Sequence, residues 1–265
     1  MSQSLLPQRI FRKEEMTVAL TVSDLSLSIG GAKILDGINL EISSHETLGI
    51  IGPNGAGKTS LFNLLSGLLS PTRGTITLGE TDITHLAPYR RAKAGIARTF
   101  QTSSVFNNLT LLENVRIAAQ ASIGRSMDLT RNAYKFTKAL DLAHQSLKQL
   151  GLYGRENQIA GSLSHGDKRR LEIAIILASK AEIILLDEPM AGLSVEHVPE
   201  LVEIIRSLVA LHEKTVLIVE HHMDVILGLA DRIAVLNYGE LVVCDTPEKV
   251  IANPAVQSAY LGVGL

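Results

Sequence analysis

The chain has 265 residues, 46% of them hydrophobic, and its 25 Lys and Arg against 27 Asp and Glu leave a formal charge of −2. This composition predicts a globular protein of one large or two small domains, and it excludes an overall field that would attract nucleic acid or an anionic membrane. No apolar stretch reaches the roughly 18 to 20 uncharged residues of a membrane-spanning helix, since even the segment 171–186 contains Glu172, Lys180 and Glu182. Any membrane association is therefore expected to run through a partner protein.

The N-terminal segment and the single cysteine disfavour a secreted protein. Met1 to Glu15 carries charges and Pro7 but no apolar central region, so it is unlike a secretory signal and is expected to be a dispensable tail. Cys244 is the only cysteine, which excludes an internal disulfide and a cysteine-based zinc site and favours a reducing cytoplasm. We expect Cys244 to be a small buried residue of a strand.

The first hundred residues are predicted to be rich in strands. Four apolar or alternating segments separated by glycines have strand character: 18–22, 26–29, 37–42 and 75–78. From about Asn107 to Gly161 the pattern changes to helical spacing with few β-branched residues, which predicts an inserted helical subdomain.

The remaining part of the chain alternates between strand and helix patterns. Three apolar runs are predicted to be strands: 182–186, 215–219 and 232–236. Because helical patterns separate them, the alternation indicates parallel βαβ units with right-handed crossovers. A further strand is predicted at 241–244, and Thr246-Pro247 has the N-cap and first-turn chemistry of a final helix.

A candidate phosphate-binding loop lies between an apolar run and an apolar-periodic helix, and it reads Gly-Pro-Asn-Gly-Ala-Gly-Lys-Thr from Gly52 to Thr59. Glycines let backbone N–H groups curl around phosphates, and the following helix points the positive end of its dipole at the same anion. Lys58 is expected to reach the β and γ phosphates, and the Thr59 hydroxyl to ligate Mg²⁺. The alternative is a glycine-rich turn that precedes a Lys by chance, and the flanking strand and helix disfavour it. The predicted nucleotide-binding residues here are Gly52, Pro53, Asn54, Gly55, Ala56, Gly57, Lys58, Thr59 and Ser60.

Two adjacent carboxylates follow the apolar run that starts at Ile183. Asp187 and Glu188 are therefore expected at the C-terminal end of a buried strand, where open α/β sheets place their ligands. Asp187 is predicted to hold Mg²⁺ directly or through water, and Glu188 to polarise the water that attacks the γ-phosphate. Charged residues that merely end a strand are the alternative, and the phosphate loop upstream disfavours it.

Five motifs occur in the order typical of ATP-binding-cassette (ABC) nucleotide-binding subunits. They are the phosphate loop, Gln101, the segment Leu163 to Asp167, the Asp187-Glu188 strand end, and His221. Taken alone, the Leu-Ser-His-Gly-Asp segment would only be an N-cap before a helix. The chain resembles the ABC family from about Val18 to Gly262. The resemblance implies an α/β fold, with a P-loop NTPase (RecA-like) core, an N-terminal antiparallel β subdomain and an inserted α-helical subdomain.

The resemblance also implies a division of the chain. A tail, 1–15, is expected to precede a single ATPase domain, 16–265. That domain would comprise a catalytic core with the β subdomain (16–102 and 162–245), the helical subdomain (103–161) and a C-terminal helix (246–265).

Further roles come only from the resemblance. Ser164 and Gly166 would bind the γ-phosphate of an ATP held by the opposite subunit, a task that suits a helix N-terminus. Gln101 would contact nucleotide and Mg²⁺ and meet the coupling helix of the membrane subunit. His221 would contact the γ-phosphate. Because His222 follows it directly, the sequence leaves open which of the two histidines occupies this position. The implied catalytic residues are thus Glu188, His221 and Lys58, and the implied metal residues Thr59, Gln101 and Asp187.

Four positions depart from the family pattern. Ile29 stands where an aromatic residue usually stacks on adenine, so only an apolar contact with the base is expected. The signature segment has His165 for the commoner glycine or tyrosine and Asp167 for the usual glutamine. Ser194 replaces an Asp that helps to couple the two subunits, so coupling between subunits is expected to be altered.

Within the family, several segments resemble the ATPases of branched-chain (hydrophobic) amino acid importers, among them Gly95 to Gln101 and Asn253 to Gly262. His165 and the run Ile175 to Ala178 are also similar to the urea and short-chain amide importers. The resemblance implies an ATP- and Mg²⁺-dependent ATPase that pairs with a second ABC subunit and binds integral membrane permease subunits. A periplasmic substrate-binding protein would take part indirectly, nucleic acid would not, and the chain would lie at the cytoplasmic face of the inner (plasma) membrane.

Three other classes of protein fit the sequence less well. Cassette proteins that act on ribosomes or DNA carry two cassettes or long coiled coils, and neither occurs here. A kinase or GTPase would leave the segment Ser164 to Asp167 unexplained, and no Asn-Lys-x-Asp guanine-reading motif is seen. A non-hydrolysing regulatory subunit is disfavoured because Lys58, Asp187, Glu188 and His221 are all present.

Overall fold

The computed structural model describes residues 17–99, 105–123, 137–192, 196, 198–210 and 214–261. Its strands are β1 (Val18–Ile29), β2 (Ala32–Ser43), β3 (Thr47–Ile51), β4 (Arg73–Leu78), β5 (Thr81–Asp82), β6 (Ile96–Arg98), β7 (Ile183–Asp187), β8 (Thr215–Val219), β9 (Arg232–Asn237) and β10 (Glu240–Asp245). Its helices are α1 (Lys58–Ser66), α2 (Pro88–Lys93), α3 (Leu111–Ser122), α4 (Thr137–Gln149), α5 (His165–Ala178), α6 (Val198–Ala210), α7 (Met223–Leu229), α8 (Pro247–Ile251) and α9 (Pro254–Leu261). The tail predicted at Met1 to Glu15 lies outside the described residues.

The N-terminal sheet is antiparallel, with the strand order β2-β1-β4-β5. The segments predicted as two strands, 18–22 and 26–29, form the single strand β1, whose pairing with β2 shifts register between Val22 and Leu25. Within this irregularity Asp24 adopts a φ of 50°, and its N–H donates to Asn39 Oδ1 at 2.9 Å. A side-chain acceptor thus satisfies the backbone where the strand bends, so the turn-like residues do not end it.

The second sheet has the order β10-β9-β3-β8-β7-β6, and all its neighbouring strands are parallel except β9 and β10. Every residue of β3, β7 and β8 is buried, as expected for a parallel sheet covered on both faces. The predicted parallel arrangement is therefore confirmed. The C-terminal ends of β3, β7 and β8 lie side by side, and each leads into a candidate site segment.

The described residues between β6 and β7 are largely helical. Thr110 caps α3 by accepting a hydrogen bond from Glu113 N at 3.1 Å, and α3, α4 and α5 share one apolar core with the parallel sheet. On α4, Ala143 and Leu147, which are four residues apart, are buried, whereas His144 is exposed. None of the described helices combines the length and apolar character that crossing a bilayer requires.

The structure fixes the limits of two predicted helices. The helix α1 ends at Ser66 because Gly67 adopts a left-handed φ of 79°, and Leu68, which continues the apolar spacing along the chain, is 48% exposed. The C-terminal segment, expected as one helix, forms the two helices α8 and α9. Asn253 separates them and accepts a hydrogen bond from Ala255 N at 2.9 Å.

The single cysteine lies on β10, as predicted, and is partly buried. Arg232 Nη2 donates to Cys244 Sγ at 3.1 Å. Burial raises the pKa of the Cys244 thiol to about 11, which makes it a poor nucleophile.

Candidate nucleotide site

The phosphate loop connects the end of β3 at Ile51 to the start of α1 at Lys58. Two of its glycines have no space for a side chain. A Cβ on Gly52 would lie 2.3 Å from the Leu236 carbonyl oxygen, and one on Gly57, which has a φ of 100°, would lie 2.5 Å from Leu35 Cδ2. Since Gly57 is the N-cap of α1 and has no side chain with which to cap it, the first-turn N–H groups are available to an anion.

Lys58 lies inside this loop and is only 6% exposed. Its Nζ donates to the carbonyl oxygens of Gly52 at 2.6 Å and Pro53 at 3.0 Å. Burial lowers the pKa of the Lys58 ammonium, and the nearby carboxylates of Glu188 and Asp187 oppose that shift. The loop lysine and the two predicted carboxylates are therefore brought into one electrostatic environment, although they are more than a hundred residues apart in the sequence.

Asp187 is the last residue of β7 and is fully buried. Its N–H donates to Thr99 Oγ1 at 3.0 Å, and its Oδ2 accepts from Arg98 Nη2 at 2.6 Å. Within the described part of the chain, its Oδ1 is buried and has no hydrogen-bond partner. A buried carboxylate oxygen without a partner is costly, and it is the type of ligand that Mg²⁺ prefers, so this residue fits a metal.

Glu188 marks the point where the chain leaves the sheet. Its φ is 45°, and its N–H donates to the Val219 carbonyl at the end of β8 at 2.9 Å. Its Oε1 lies 2.9 Å from His221 Nε2. A left-handed conformation in a non-glycine residue costs about 1–3 kcal/mol and is held only where neighbours determine it. Here it places the carboxylate beside the histidine.

The two neighbouring histidines differ in their contacts. His221 faces Glu188, whereas His222 is the N-cap residue of α7. Glu220 is 3% exposed, and its carboxylate accepts from His221 N at 2.9 Å and from Met190 N at 2.8 Å. It thus joins the loop after Glu188 to the histidine segment.

Thr59 and Asp187 are the described candidates for the metal. No group of three or more His, Cys, Asp or Glu within the described ranges is arranged to hold an ion. Mg²⁺ is often held by one or two protein ligands together with substrate phosphates and water, so a dedicated cluster is not needed. Thr59 is exposed in the first turn of α1. Gln101, the third predicted metal residue, lies outside the described residues.

The signature segment forms the start of α5. Ser164 is the N-cap, and its Oγ accepts from Asp167 N at 3.2 Å. The space where Gly166 would carry a Cβ is open. None of the hydrogen bonds or ion pairs of the described residues joins Ser164 or Gly166 to Lys58, Asp187 or Glu188. Within the part of the chain that the structure describes, polar contacts do not link the signature segment to the phosphate loop.

Two of the positions that depart from the family pattern, Asp167 and Ile29, differ in their surroundings. Asp167 forms ion pairs with Arg155 at 3.0 Å and with Arg170 at 3.9 Å, so its negative charge at the helix N-terminus is compensated. Ile29, at the end of β1, is 52% exposed. Ser194 lies outside the described residues.

Sequence reasoning missed Arg98, Thr99 and Glu220. Arg98 is the last residue of β6 and Thr99 follows it, and this strand of only three residues is too short for a periodic signal. Glu220 could have been found as a carboxylate directly after the apolar run of β8.

Comparison with known proteins identifies the family. The family model described as ABC transporter matches residues 35–191. The high-affinity branched-chain amino acid transport ATP-binding protein LivG of Salmonella typhimurium is 40% identical over 92% of this chain and 97% of its own length. BraF of Pseudomonas aeruginosa, which has the same description, is 36% identical over 92% and 97%.

A solved structure has the same fold. The ADP conformation of an ATP-binding cassette of an ABC transporter superposes with a TM-score of 0.78 and 28% identity, over 93% of this chain and 99% of that one. The α/β P-loop fold with an antiparallel N-terminal sheet is confirmed. This chain belongs to the ABC transporter family and is an ABC transporter ATPase.

Proposed function

We propose that this ATPase couples ATP binding and hydrolysis to the uptake of branched-chain amino acids. The proposal is supported by the 40% identity to LivG over almost the whole of both chains. The urea and short-chain amide importers remain the alternatives, because the transported molecule does not touch this chain.

The observation that carries the catalytic part of the proposal is the contact between Glu188 Oε1 and His221 Nε2 at 2.9 Å. With the proton on Nε2, His221 donates to one carboxylate oxygen and leaves the other for a water molecule. In this role Glu188 accepts a proton from the water as its oxygen attacks the γ-phosphorus, and ADP leaves with the bridging oxygen.

The other residues bind and orient the triphosphate. The N–H groups of the phosphate loop and the Lys58 ammonium hold its β and γ phosphates. Lys58 exchanges its two loop carbonyls for phosphate oxygens. Thr59 and Asp187 would hold Mg²⁺, which would supply further positive charge to the same phosphates.

The active species in this proposal is a dimer with a second ABC subunit. Ser164 and Gly166 lie at an open helix N-terminus that no described contact links to the phosphate loop of its own chain. A helix N-terminus of this kind is suited to bind an anion presented by another subunit. Each ATP would then lie between Lys58 of one subunit and Ser164 of the other.

Attachment to membrane permease subunits is proposed through the segment around Phe106. This side chain is 57% exposed, yet its backbone N–H and carbonyl are both bonded to Asn114, at 2.8 and 3.1 Å. An exposed aromatic side chain on a fixed backbone can serve as an anchor in an interface with a partner. The chain would thereby be held at the cytoplasmic face of the membrane, and a periplasmic substrate-binding protein would act on the permeases from the other side.

Uptake assays test the proposed substrate. Cells lacking this chain should lose uptake of radiolabelled leucine, isoleucine and valine and keep uptake of urea and acetamide. The wild-type chain should restore uptake, and Glu188→Gln, produced at the same level, should not. Normal leucine uptake with lost urea or acetamide uptake would assign the chain to the alternative group.

A further inference from the structure

A buried arginine at the end of β6 joins three parts of the site. The Arg98 side chain is 6% exposed. Its Nη2 donates to Asp187 Oδ2 at 2.6 Å, and its Nη1 donates to Asn63 Oδ1 at 2.7 Å and Ser66 Oγ at 3.0 Å. The guanidinium carbon also lies 5.7 Å from the centre of the Phe62 ring. One cation therefore contacts both the strand that ends in Asp187 and the helix that begins at Lys58.

These contacts determine which oxygen of Asp187 is left for a ligand. Arg98 occupies Oδ2, while Oδ1 is buried without a hydrogen bond in the described part of the chain. The planar guanidinium fork fixes the direction of each of its bonds, unlike the rotating ammonium of a lysine. The orientation of the Asp187 carboxylate is thus set by Arg98, with Oδ1 as its available atom.

The same segment also fixes the position of β7 relative to α1. The Asp187 N–H is bonded to Thr99, the residue after Arg98, so adjacent residues hold both the backbone and the side chain of Asp187. Asn63 and Ser66 lie on α1 downstream of Lys58. Removing one partner from a buried ion pair leaves a buried charge unpaired at a high cost, so this link is expected to be rigid.

We propose that Arg98 is a positioning residue for Mg²⁺ at the ATPase site. It presents Asp187 Oδ1 to the metal and maintains the spacing between the phosphate-loop helix and β7. This inference rests on the proposed role of Asp187 in holding Mg²⁺. Outer-sphere partners that orient a metal ligand typically change metal affinity by about 10- to 100-fold when they are replaced.

A second buried arginine provides a matched control. Arg91 is 1% exposed, and its guanidinium donates to the carbonyl oxygens of Leu64 and Leu65 on α1 and of Thr84. Arg91 thus anchors the same helix as Arg98, but its described hydrogen bonds reach no carboxylate of the phosphate site. If Arg98 served only to hold α1 in place, the two arginines would be equivalent.

The test measures binding of a fluorescent ATP analogue in EDTA and then over a Mg²⁺ titration, for Arg98→Lys, Arg91→Lys and the wild type. Arg98→Lys should raise the Mg²⁺ concentration that gives half-maximal tightening by about 10-fold or more, with nucleotide affinity in EDTA nearly unchanged. Arg91→Lys should lower the melting temperature without changing the Mg²⁺ requirement. An unchanged Mg²⁺ requirement in Arg98→Lys, or an equal change in both variants, would overturn the proposal.

Two further variants distinguish a failure of the Arg98 proposal from a failure of the metal role of Asp187. Asn63→Ala removes a partner of Arg98 without burying a new charge, and it should raise the Mg²⁺ requirement in the same direction by a smaller factor. If Arg98→Lys does not fold, an unchanged Mg²⁺ requirement in Asn63→Ala overturns the proposal. Asp187→Asn tests the underlying metal role. If Asp187→Asn binds Mg²⁺ and ATP as the wild type does, Asp187 does not hold the metal. If Asp187→Asn changes the Mg²⁺ requirement and the Arg98 and Asn63 variants do not, only the proposal for Arg98 is rejected.

Discussion

The two ends of the candidate nucleotide site are built differently. At the phosphate end, Lys58 and Asp187 are buried, and each is bonded to neighbouring groups. At the end where the family places the base, Ile29 is 52% exposed, and the adjoining Gly30 has no neighbouring atoms where a Cβ would lie. The phosphate end is therefore ordered by contacts within the chain, whereas the proposed base end offers one exposed apolar side chain.

The difference follows from the chemistry of the two parts of a nucleotide. Buried charges are tolerated only with partners, so a site for phosphate and metal must be constructed from many contacts. A base is planar and largely apolar on its faces, and a single side chain can cover it. We therefore expect the phosphates to provide most of the affinity and the base to provide little discrimination.

The largest expected effect is on turnover at the phosphate end. Glu188→Gln keeps the size of the side chain and removes the proton acceptor, so steady-state phosphate release should fall by about 10²- to 10⁴-fold. ATP binding should remain, and the ATP-bound dimer should accumulate, which gel filtration with ATP would reveal. Normal steady-state hydrolysis by this variant would exclude Glu188 as the base.

A large effect on binding is expected at the loop lysine. Lys58→Ala removes a buried cation, and hydrogen bonds to charged groups contribute about 1.5–3 kcal/mol, so ATP should bind about 10- to 150-fold more weakly. Equilibrium binding of a fluorescent analogue measures this. Lys33→Ala is the control, because Lys33 lies on β2 and pairs with Asp36 at an exposed position. Equal losses in both variants would contradict a specific role for Lys58.

The phosphate end is also predicted to be shared between subunits. Lys58→Ala and Ser164→Arg should each be nearly inactive alone, whereas their mixture should recover activity, because mixed dimers combine both defects in one site and leave the other intact. The rate of ATP hydrolysis should rise more steeply than linearly with protein concentration. A strictly linear rate, from a species that stays monomeric with ATP bound, would rule out the shared site.

The smallest effect is expected at the base end. Wild-type protein should bind ATP and GTP within a few-fold of one another, and Ile29→Tyr should tighten ATP binding by about 0.5–1.5 kcal/mol, the contribution of an aromatic pair. Tyr238→Ala tests whether another aromatic already covers the base. Tyr238 is 91% exposed, and the next residue, Gly239, donates to Ala56 O of the phosphate loop at 3.2 Å. An unchanged affinity in Ile29→Tyr, with a weaker one in Tyr238→Ala, would mean that Tyr238 fills this role.

Much of the fold was predictable because its signals are local. Continuous apolar runs marked the parallel strands β7, β8 and β9, and the glycine-rich segment between β3 and α1 marked the phosphate loop. The limits of two elements depended on the tertiary structure. Asp24 and its neighbours suggested a break in β1, but Asn39 Oδ1 accepts a hydrogen bond from the Asp24 N–H and the strand continues. The C-terminal segment suggested one helix, but Asn253 separates α8 from α9.

By itself, the sequence determined the fold class, through the order of its motifs, and it located the phosphate loop and the two carboxylates at the end of β7, which are short runs of adjacent residues. Only the tertiary structure decided that His221 rather than His222 faces Glu188, and that Arg98 holds Asp187. The Arg98–Asp187 bond joins residues 89 positions apart, and the bond from Met190 to Glu220 joins residues 30 apart. Contacts of this kind arise when parallel strands place their ends side by side, and no period along the chain encodes which polar side chains will meet there.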